Sequence, residues 1–578
     1  MARVATLPRA SALQSWSPRL SMHLVAGVVL LAAVASVTLA PVLFVVVGSF
    51  DVRQNGDVST FGLEAWHTAF VESSRTQSAI GYSLLLALRA PVAAVVAFFL
   101  AWLLIRTRLP GRGFIEFALW IAFFLPILPV TLGWILILDP NYGLLNAALK
   151  NLPVVQGLGF GLNIFSVPGI LWVHITAASV PVMIILLGPA IRQLDASLED
   201  SARVCGSGPL QVFRKVTFPI LAPAVLTAAL AGFIRSLEAF EVEQILGRPA
   251  GIYVYSTRIY DLISWEPPQF PEAMAISTVV LTLLVAIAAG YQRLSLRGYA
   301  TITGRGVRFH PLATGRWRYL ASALFFVLIG VVVVLPTAML ISGSFMKLFG
   351  FFFIAEPFSS RHWQQVLRDP VFLVSLRNSL VISLGTASLG VLLYAVLGYA
   401  LVRSRLFGRS LLGILVWLPW CIPGILLGIS LLWLILTNPV LALLYGSIVA
   451  LILVLVVKDL PIGTHMMKTS IGQIALELEQ SSNVCGAGWF TTFRRIVLPL
   501  MRPMLVSIFV LVFLSALRDI STTILLVRPS TRPLSVLMLE YATSSSLESA
   551  AVVGVIIASL VILAALIARK VGLVVAQP

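Results

Sequence analysis

Two polar stretches, 280 positions apart, carry the residue types best suited to binding chemistry. Residues 198–223 read LEDSARVCGSGPLQVFRKVTFPILAP, and residues 478–503 read LEQSSNVCGAGWFTTFRRIVLPLMRP. Each places an acidic residue before a Cys-Gly-x-Gly turn and follows it with Phe-Arg and proline. A polar segment that recurs in register between apolar runs indicates a contact surface. The residues assigned to this contact are Glu199, Gly206, Arg214, Pro219, Glu479, Gly486, Arg494 and Pro499.

The order of residue types within each stretch predicts a helix, a turn and a second helix. Glu199 and Asp200 stand near a helix N-terminus, where negative charge is favoured. Gly206 and Gly208 permit a sharp turn, and Pro209 suits the first turn of the helix that follows. We therefore expect each stretch to lie against the membrane surface as a helix-turn-helix.

A second set of charges lies toward the end of the fifth apolar run of each half, in FIRSLEAFEVEQIL and FLSALRDISTTILL. Ionisable groups inside a membrane are costly and by default have paired or functional roles. The same offset makes Glu238 the counterpart of Arg518, and we predict that the two pair across the interface between the halves. The alternative is that each meets water or its own neighbours. The residues assigned to a translocation pathway or gate are Glu238, Glu241, Arg518 and Asp519.

The elements that must position these residues are membrane helices. Of the 578 residues, 59% are hydrophobic and 11% are charged, and the mean hydropathy is +0.99. Apolar runs long enough to cross about 30 Å of hydrocarbon recur along the chain, and their backbone must be helical to satisfy its own hydrogen bonds. The fold class is therefore an all-α polytopic membrane protein.

The runs predict about twelve spans in two six-helix halves. Leu125-Pro126 and Leu418-Pro419, with Pro423, predict kinked third helices in both halves. The predicted spans are about 23–49, 77–105, 114–138, 164–188, 223–247 and 272–291 in the first half, and about 319–343, 373–402, 410–436, 441–464, 504–527 and 546–568 in the second.

Further matches between the halves indicate an internal repeat. Tyr82-Ser83-Leu84 corresponds to Asn378-Ser379-Leu380, and Arg106-Thr107-Arg108 corresponds to Arg403-Ser404-Arg405. These matches are about 297 apart, so the first half has about 17 extra residues, which fit best in the loop at 139–163. That loop is a candidate docking or lid element, and a neutral insertion is the alternative. An even number of spans in each half makes the repeats parallel, related by an axis along the membrane normal.

The formal charge of +17 follows from membrane topology rather than from nucleic-acid binding. Arginines concentrate in alternate loops, and by the positive-inside rule these loops and both termini are cytoplasmic.

The N-terminal apolar run is too long for a cleaved signal peptide, so we interpret it as a retained first helix. Cys205, Cys421 and Cys485 form neither a disulfide framework nor a metal site. His174 has no ionisable neighbour one turn away and is expected to be a hydrogen-bonded packing residue.

The two stretches resemble the EAA loop of binding-protein-dependent ABC importer permeases. The resemblance implies a type I (MetI-like) ABC importer permease fold in which short helices enter clefts on ATPase subunits. It implies that Glu199 and Glu479 face the ATPase, and that Gly206 and Gly486 hold the turn. The two alanines of the family motif are replaced by Asp200-Ser201 and Gln480-Ser481.

The resemblance also implies a division of the chain. A cytoplasmic tail at 1–22 precedes a first permease domain at 23–291, and a basic cytoplasmic linker at 292–318 leads to a second permease domain at 319–578. Within these domains lie two coupling loops, residues 190–223 and 466–503, called the first and second repeat loop below.

The implied partners are two copies of a nucleotide-binding ATPase subunit, a periplasmic or surface-anchored solute-binding protein and the lipid bilayer of a bacterial inner membrane. The chain has no G-x-x-x-x-G-K-[ST] motif, so it is not expected to be an enzyme; ATP and magnesium would be bound by the ATPase. No catalytic residue, metal ligand, cofactor or nucleic acid is assigned to it.

Two fused permease halves resemble the ferric iron, thiamine and aminophosphonate subgroup. Residues 247–263 and 300–306 are most similar to iron(III) permeases, and thiamine, 2-aminoethylphosphonate or a sugar phosphate are the alternative substrates. An ion-coupled secondary transporter with two parallel six-helix repeats is the alternative function. It would use Glu238 and Glu241 for coupling and would leave the repeated cytoplasmic loops unexplained. An intramembrane enzyme is a more distant possibility, without a convincing nucleophile and base.

Overall fold

The computed structural model describes residues 18–51, 61–151, 161–296, 315–404 and 408–570, and the statements below concern these residues. They form helices joined by turns, with two isolated β-bridges. Nine of the described helices are long and apolar enough to cross a membrane, and three bent helix pairs bring the number of possible spans to twelve. The prediction of an all-α polytopic fold is confirmed.

The spans fall into two sets of six. Those of the first half are Gly27–Gly48, Ser74–Arg106, Arg112–Phe124 with Ile127–Leu138, Val167–Arg192, Leu210–Leu237 and Phe270–Ile287. Those of the second are Trp317–Ser344, Pro370–Arg403, Arg409–Trp420 with Gly424–Thr437, Ile448–Gln473, Phe490–Leu500 with Arg502–Leu517, and Leu547–Arg569. Shorter helices connect them at Glu64–His67, Leu144–Lys150, Ala196–Val204, Tyr255–Ser264, Arg361–Arg368, Pro439–Ala442, Leu476–Val484 and Leu534–Thr543.

The fifth span of each half ends sooner than its hydropathy predicts. The predicted bounds of 223–247 and 504–527 extend about ten residues past the observed ends at Leu237 and Leu517. In the first half the chain turns at Glu238 and continues into the short segment Glu243–Gly247. In both halves ionisable residues follow the observed end, Glu238 and Glu241 in the first and Arg518 and Asp519 in the second, and such groups are costly in hydrocarbon.

The third span of each half is sharply bent, as the prolines predict. Its two helices meet at 102° in the first half and at 111° in the second. Pro126 and Pro423 immediately precede the second helix of each pair. Proline lacks the amide hydrogen that a continuous helix needs and keeps the preceding residue extended, so the helix breaks there.

The two halves exchange their first spans. Phe326, from the first span of the second half, stacks on Phe114 of the third span of the first half, with ring centroids 5.7 Å apart. The Ser322 hydroxyl donates to the Pro110 carbonyl at 2.6 Å. Reciprocally, Val34 from the first span of the chain is buried in the core of the second half. Each half therefore depends on a helix of the other to complete its core.

Gly133 lies at a close contact between the halves. A side-chain carbon added there would lie 2.0 Å from the Pro336 carbonyl oxygen. A side-chain carbon and a carbonyl oxygen never lie so close in real structures. Because Gly133 has no side chain, the third span can pack directly on the backbone of the exchanged span.

The repeat predicted around Ser83 and Ser379 is confirmed by equivalent hydrogen bonds. The Ser83 hydroxyl accepts from the Tyr255 amide at 2.8 Å, and the Ser379 hydroxyl accepts from the Leu534 amide at 2.7 Å. Each bond fastens the short helix that follows the fifth span of a half to the second span of the same half. The segments after the two fifth spans thus occupy corresponding places.

Several predicted segments lie wholly or partly outside the described residues. They are 1–17 of the N-terminal tail, 297–314 of the linker with the stretch at 300–306, and 152–160 of the loop at 139–163. The ends of that loop are joined by Asn146, whose amide donates to the carbonyls of Asp139 at 2.8 Å and Leu162 at 2.7 Å.

Candidate functional site: the repeat loops and the buried charges

The two repeat loops adopt the same local structure. Just after the fourth span, each contains a nine-residue helix, Ala196–Val204 or Leu476–Val484. A turn leads to a second short helix, which starts at Pro209 in the first loop and at Trp489 in the second. That helix continues through a wide π-helical turn toward the fifth span of its half. The predicted helix-turn-helix is confirmed in both copies.

Gly206 and Gly486 hold the turn, as predicted. Their φ angles are +83° and +80°, in the left-handed region that only glycine adopts without strain. The Gly206 amide donates to the Arg203 carbonyl at 2.9 Å, and the Ser207 amide donates to the Ala202 carbonyl at 3.0 Å. This pair of bonds is a Schellman motif, which satisfies the last carbonyls of the helix.

Glu199 does not face outward, so its predicted position at the surface was wrong. It is 2% exposed, forms an ion pair with Arg106 and accepts from the Thr217 hydroxyl at 2.7 Å. Arg203 lies 3.8 Å away from the same carboxylate. The carboxylate lies on the inward face of its helix, where a charge must have partners, and Arg106 at the end of the second span provides one.

Glu479 repeats this arrangement and corrects the same prediction in the second copy. It is 7% exposed, lies 2.9 Å from the Arg403 Nε and accepts from the Tyr399 hydroxyl at 3.0 Å. Arg403 also donates to the Ile471 carbonyl at 3.2 Å. In both halves, therefore, the glutamate fastens the repeat loop to the end of the second span.

The outer surface of each repeat loop is apolar at its tip. Val204 and Val484 are both 88% exposed, and they are followed by the exposed Cys205 and Cys485. Large side chains in the second helices extend the surface: Leu210 is 78% exposed and Phe490 is 65% exposed. The predicted contact residues Arg214, Arg494, Pro219 and Pro499 are also exposed.

The predicted pair between Glu238 and Arg518 is not formed in the described structure. Glu238 pairs with Arg235, one turn away on its own helix, at 2.5 Å. Arg518 instead donates to the carbonyls of Phe123 at 3.2 Å and Phe124 at 3.4 Å. These carbonyls end the first helix of the bent third span and lack helical partners, so they accept from a cation of the other half.

The other charges of this region pair within the second half. Asp519 forms an ion pair with Lys458 and accepts from the amides of Thr522 and Thr523, both at 3.2 Å. Asp459 accepts from the Ser515 hydroxyl at 3.1 Å. Glu241, of the first half, lies just after the fifth span and is partly buried. The structure thus leaves Arg518 and Asp519 with separate nearest partners, and among the described residues no ion pair joins Glu241 to either of them.

His174 is hydrogen-bonded in the core, as predicted. The identity of its partner, Glu243, was not predicted. Its Nε2 lies 2.8 Å from Glu243, and Arg89 lies 4.0 Å from the same carboxylate oxygen. Arg89 also donates to the carbonyls of Leu86 at 2.8 Å and Ser236 at 3.1 Å. This group joins the second, fourth and fifth spans of the first half.

Sequence reasoning missed four residues that determine these contacts. Arg106 and Arg403 belong to a repeated basic motif that the positive-inside rule alone accounts for. Their occurrence at the same position of both halves, each preceding a repeat loop, could have identified them as partners of the glutamates. Glu243 lies in the charged stretch for which paired or functional roles were expected, but its pairing with Arg89 was not predicted, because neither residue has an ionisable counterpart in the second half.

Comparison with known proteins decides the family. Residues 93–301 and 390–572 match the model of the binding-protein-dependent transport system inner membrane component, and together they cover more than half of the chain. The chain belongs to this family. It is thus a multi-pass inner membrane permease with the family domain present twice, and the alternative of an ion-coupled secondary transporter is set aside.

Relatives of the permease include transporters of different solutes. A putative ferric transport system permease protein of Haemophilus influenzae is 28% identical over 61% of this chain and 56% of its own length. A probable ABC transporter permease protein of Sinorhizobium fredii is 26% identical over 77% of this chain and 78% of its own. A sulfate transport system permease protein of Salmonella typhimurium is 26% identical over 36% of this chain and 73% of its own. The matched region spans about half the length of the ferric relative.

Proposed function

We propose that the permease forms the translocation pathway of an ATP-driven importer and that each repeat loop receives one separate ATPase subunit. The observation that carries this proposal is the pair of loops with the same fold, the same buried glutamate anchor and the same 88% exposed valine at the tip. Exposed apolar side chains at corresponding places support docking of two similar partners, because monomeric surfaces seldom display such matched patches.

The anchors explain how a docked loop would move the membrane helices. Glu199 ties the first repeat loop to Arg106, the last residue of the second span, while the loop itself continues into the fifth span. Displacement of the loop would therefore displace two spans together. The partner ATPase would bind ATP and magnesium, and the permease would contribute no catalytic residue.

Iron(III), delivered by a solute-binding protein, is the proposed substrate. The support is the similarity to ferric transport permeases from Haemophilus influenzae and Actinobacillus pleuropneumoniae. Sulfate and molybdenum permeases also match, over shorter parts of the chain. Thiamine, 2-aminoethylphosphonate and sugar phosphates are the substrates to compare in uptake measurements.

In the proposed orientation the repeat loops and both termini are cytoplasmic. The basic loops support it through the positive-inside rule. The solute-binding protein would then dock at the opposite end of the spans, on the periplasmic or outer face.

Docking of the ATPase can be tested at the loop tips without disturbing the anchors. We expect the double variant Val204→Asp plus Val484→Asp to lose copurification of the ATPase and ATP-driven uptake in proteoliposomes, because charge is placed in an apolar contact. Val71→Asp is the matched control, since Val71 is 63% exposed and lies between the first two spans, away from the repeat loops. Full uptake by the double variant, or by the permease without any ATPase, would contradict the proposal.

A further inference from the structure

A cavity between the two halves is lined by three arginines. Its volume is about 140 Å³, roughly ten times the space that one water molecule requires. Residues from both halves line it: Gln244, Arg248 and Tyr260 from the first, and Arg528, Arg532 and Glu540 from the second. It is therefore a composite site that neither half would form alone.

Two of the arginines are related by the internal repeat. The 280-residue offset that relates the repeat loops also relates Arg248-Pro249 to Arg528-Pro529. Equivalent residues can line one cavity only where the axis relating the halves passes close to it. The cavity therefore lies near this axis, where a pathway between two similar halves would run.

The cavity lies at the far end of the spans from the repeat loops. The helix Phe218–Leu237 separates the first repeat loop from the segment that contains Gln244 and Arg248. Its 20 residues span about 30 Å, the thickness of the hydrocarbon layer. In the proposed orientation the cavity faces the outside, where substrate arrives.

The charges of the lining are unbalanced. Its three guanidinium groups face a single lining carboxylate, Glu540, which lies 3.1 Å from the Arg532 Nε. Arg248 lies 3.5 Å from Asp261, behind the lining. Partial burial raises the pKa of both carboxylates. Arg528 lies over the Tyr445 ring at 4.3 Å and forms no ion pair with the described residues.

Gln244 provides independent evidence of a missing ligand. It is 2% exposed, and its side-chain oxygen has no hydrogen-bond partner among the described residues. A buried polar atom without a partner is costly, and such atoms in native proteins usually meet a water or a ligand. Here the unpartnered amide oxygen belongs to a side chain that lines the cavity.

We propose that this cavity is an oxyanion subsite at the outer mouth of the translocation pathway. It would take an oxyanion group through Arg248, Arg528 and Arg532, and a hydroxyl of the ligand, such as the P–OH of hydrogen phosphate, would donate to the Gln244 side-chain oxygen. Guanidinium groups bind such oxygens with paired, charge-assisted hydrogen bonds. The ligand is either a free oxyanion or the anion that coordinates iron(III) during entry; the second source rests on the proposed function.

The test uses the full-length permease in lipid nanodiscs, without ATPase or binding protein, and radiolabelled inorganic phosphate as the probe. We expect saturable binding at constant ionic strength that chloride does not abolish. Arg248→Gln plus Arg528→Gln should weaken it at least about tenfold, because each lost bond involves two charged groups. Gln244→Leu should weaken it by roughly two- to tenfold. Arg361→Gln, in an exposed helix at the same end of the spans, is the charge-matched control and should bind as the wild type.

Folding is checked with Arg248→Lys plus Arg528→Lys, which keeps both charges and should retain part of the binding.

Competition by citrate and by ferric citrate separates the two sources: stronger competition by the ferric complex identifies the iron-bound anion. Unchanged phosphate binding in the double glutamine variant overturns the subsite. A separate measurement adds the solute-binding protein: if the double glutamine variant binds phosphate normally but no longer binds that protein, the subsite is overturned and the arginines are a protein-docking surface. ATP-driven iron uptake is measured separately, so its failure would reject the proposed function while leaving this binding result intact.

Discussion

Arg106 and Glu199 form an ion pair whose side chains are 0% and 2% exposed. Arg106 ends the second span, and Glu199 lies in the first turn of the helix Ala196–Val204 in the first repeat loop. The pair therefore joins the surface that we propose for ATPase docking to a helix that crosses the membrane. Arg403 and Glu479 form the corresponding pair in a slightly more open setting, at 13% and 10% exposure.

Removing the arginine should be more costly in the first pair than in the second. Arg106→Met leaves the Glu199 carboxylate buried without its main cation, and we expect a loss of about 3–5 kcal/mol in the free energy of unfolding. Arg403→Met leaves Glu479 with Tyr399 and closer to solvent, so we expect about 1–3 kcal/mol. Thermal unfolding of each purified variant measures the difference.

The exposed Arg108, two residues after Arg106, provides the control for this experiment. Arg108→Met should change the stability by less than about 0.5 kcal/mol. Replacing both partners, as Arg106→Met plus Glu199→Leu, should recover part of the loss because no unpaired charge remains. Equal effects of Arg106→Met and Arg108→Met would show that the buried pair does not stabilise the loop.

The need for glycine at the left-handed positions Gly206 and Gly486 can be tested by substitution, with a nearby glycine as the control. Gly206→Ala should destabilise the first repeat loop by about 1–2 kcal/mol, because alanine is strained at this φ angle. Gly208→Ala is the matched control: neither glycine has an atom within 4 Å of an added carbon, and only Gly206 has a positive φ. Stimulation of ATPase activity should fall for Gly206→Ala and Gly486→Ala only. Gly206→Asn should be milder, since asparagine tolerates this conformation.

Features repeated or spaced regularly along the chain were predictable. The repeat loops, the number of spans and the bends at Pro126 and Pro423 each depend on local residue types, and the structure contains them. The glycine turn followed from the same logic, because Gly206 and Gly486 occupy the same place in two similar stretches.

Contacts between distant helices were not predictable in the same way. The repeat indicated that Glu238 and Arg518 are equivalent, but equivalence does not bring two side chains into contact. Arg235 lies one turn from Glu238 and pairs with it at 2.5 Å. The exchange of first spans, seen at Phe114 and Phe326, has no signature in sequence, since an apolar helix face does not specify which half it covers.

The close contact between the halves predicts an unusual sensitivity at Gly133. Gly133→Ala should reduce the melting temperature strongly, because the added carbon would meet the Pro336 backbone and the helices would have to separate. Gly81→Ala, in the helix Ser74–Ala87 with nothing within 4 Å, should be neutral or slightly stabilising. Coexpression of the halves as separate chains supplies a second measurement: Gly133→Ala should lower their copurification, and unchanged recovery would argue against the contact.

The pairing of Glu238 can be resolved by charge exchange. Glu238→Arg should impair ATP-driven uptake, because it places two arginines one turn apart and close to Arg518, which already interacts repulsively with Arg235. Adding Arg235→Glu restores the local pair in reverse and should recover most of the uptake. Adding Arg518→Glu instead should not, because a carboxylate cannot donate to the Phe123 and Phe124 carbonyls. If uptake by Glu238→Arg were recovered by adding Arg518→Glu but not by adding Arg235→Glu, the result would favour direct contact between Glu238 and Arg518 in the transporting state.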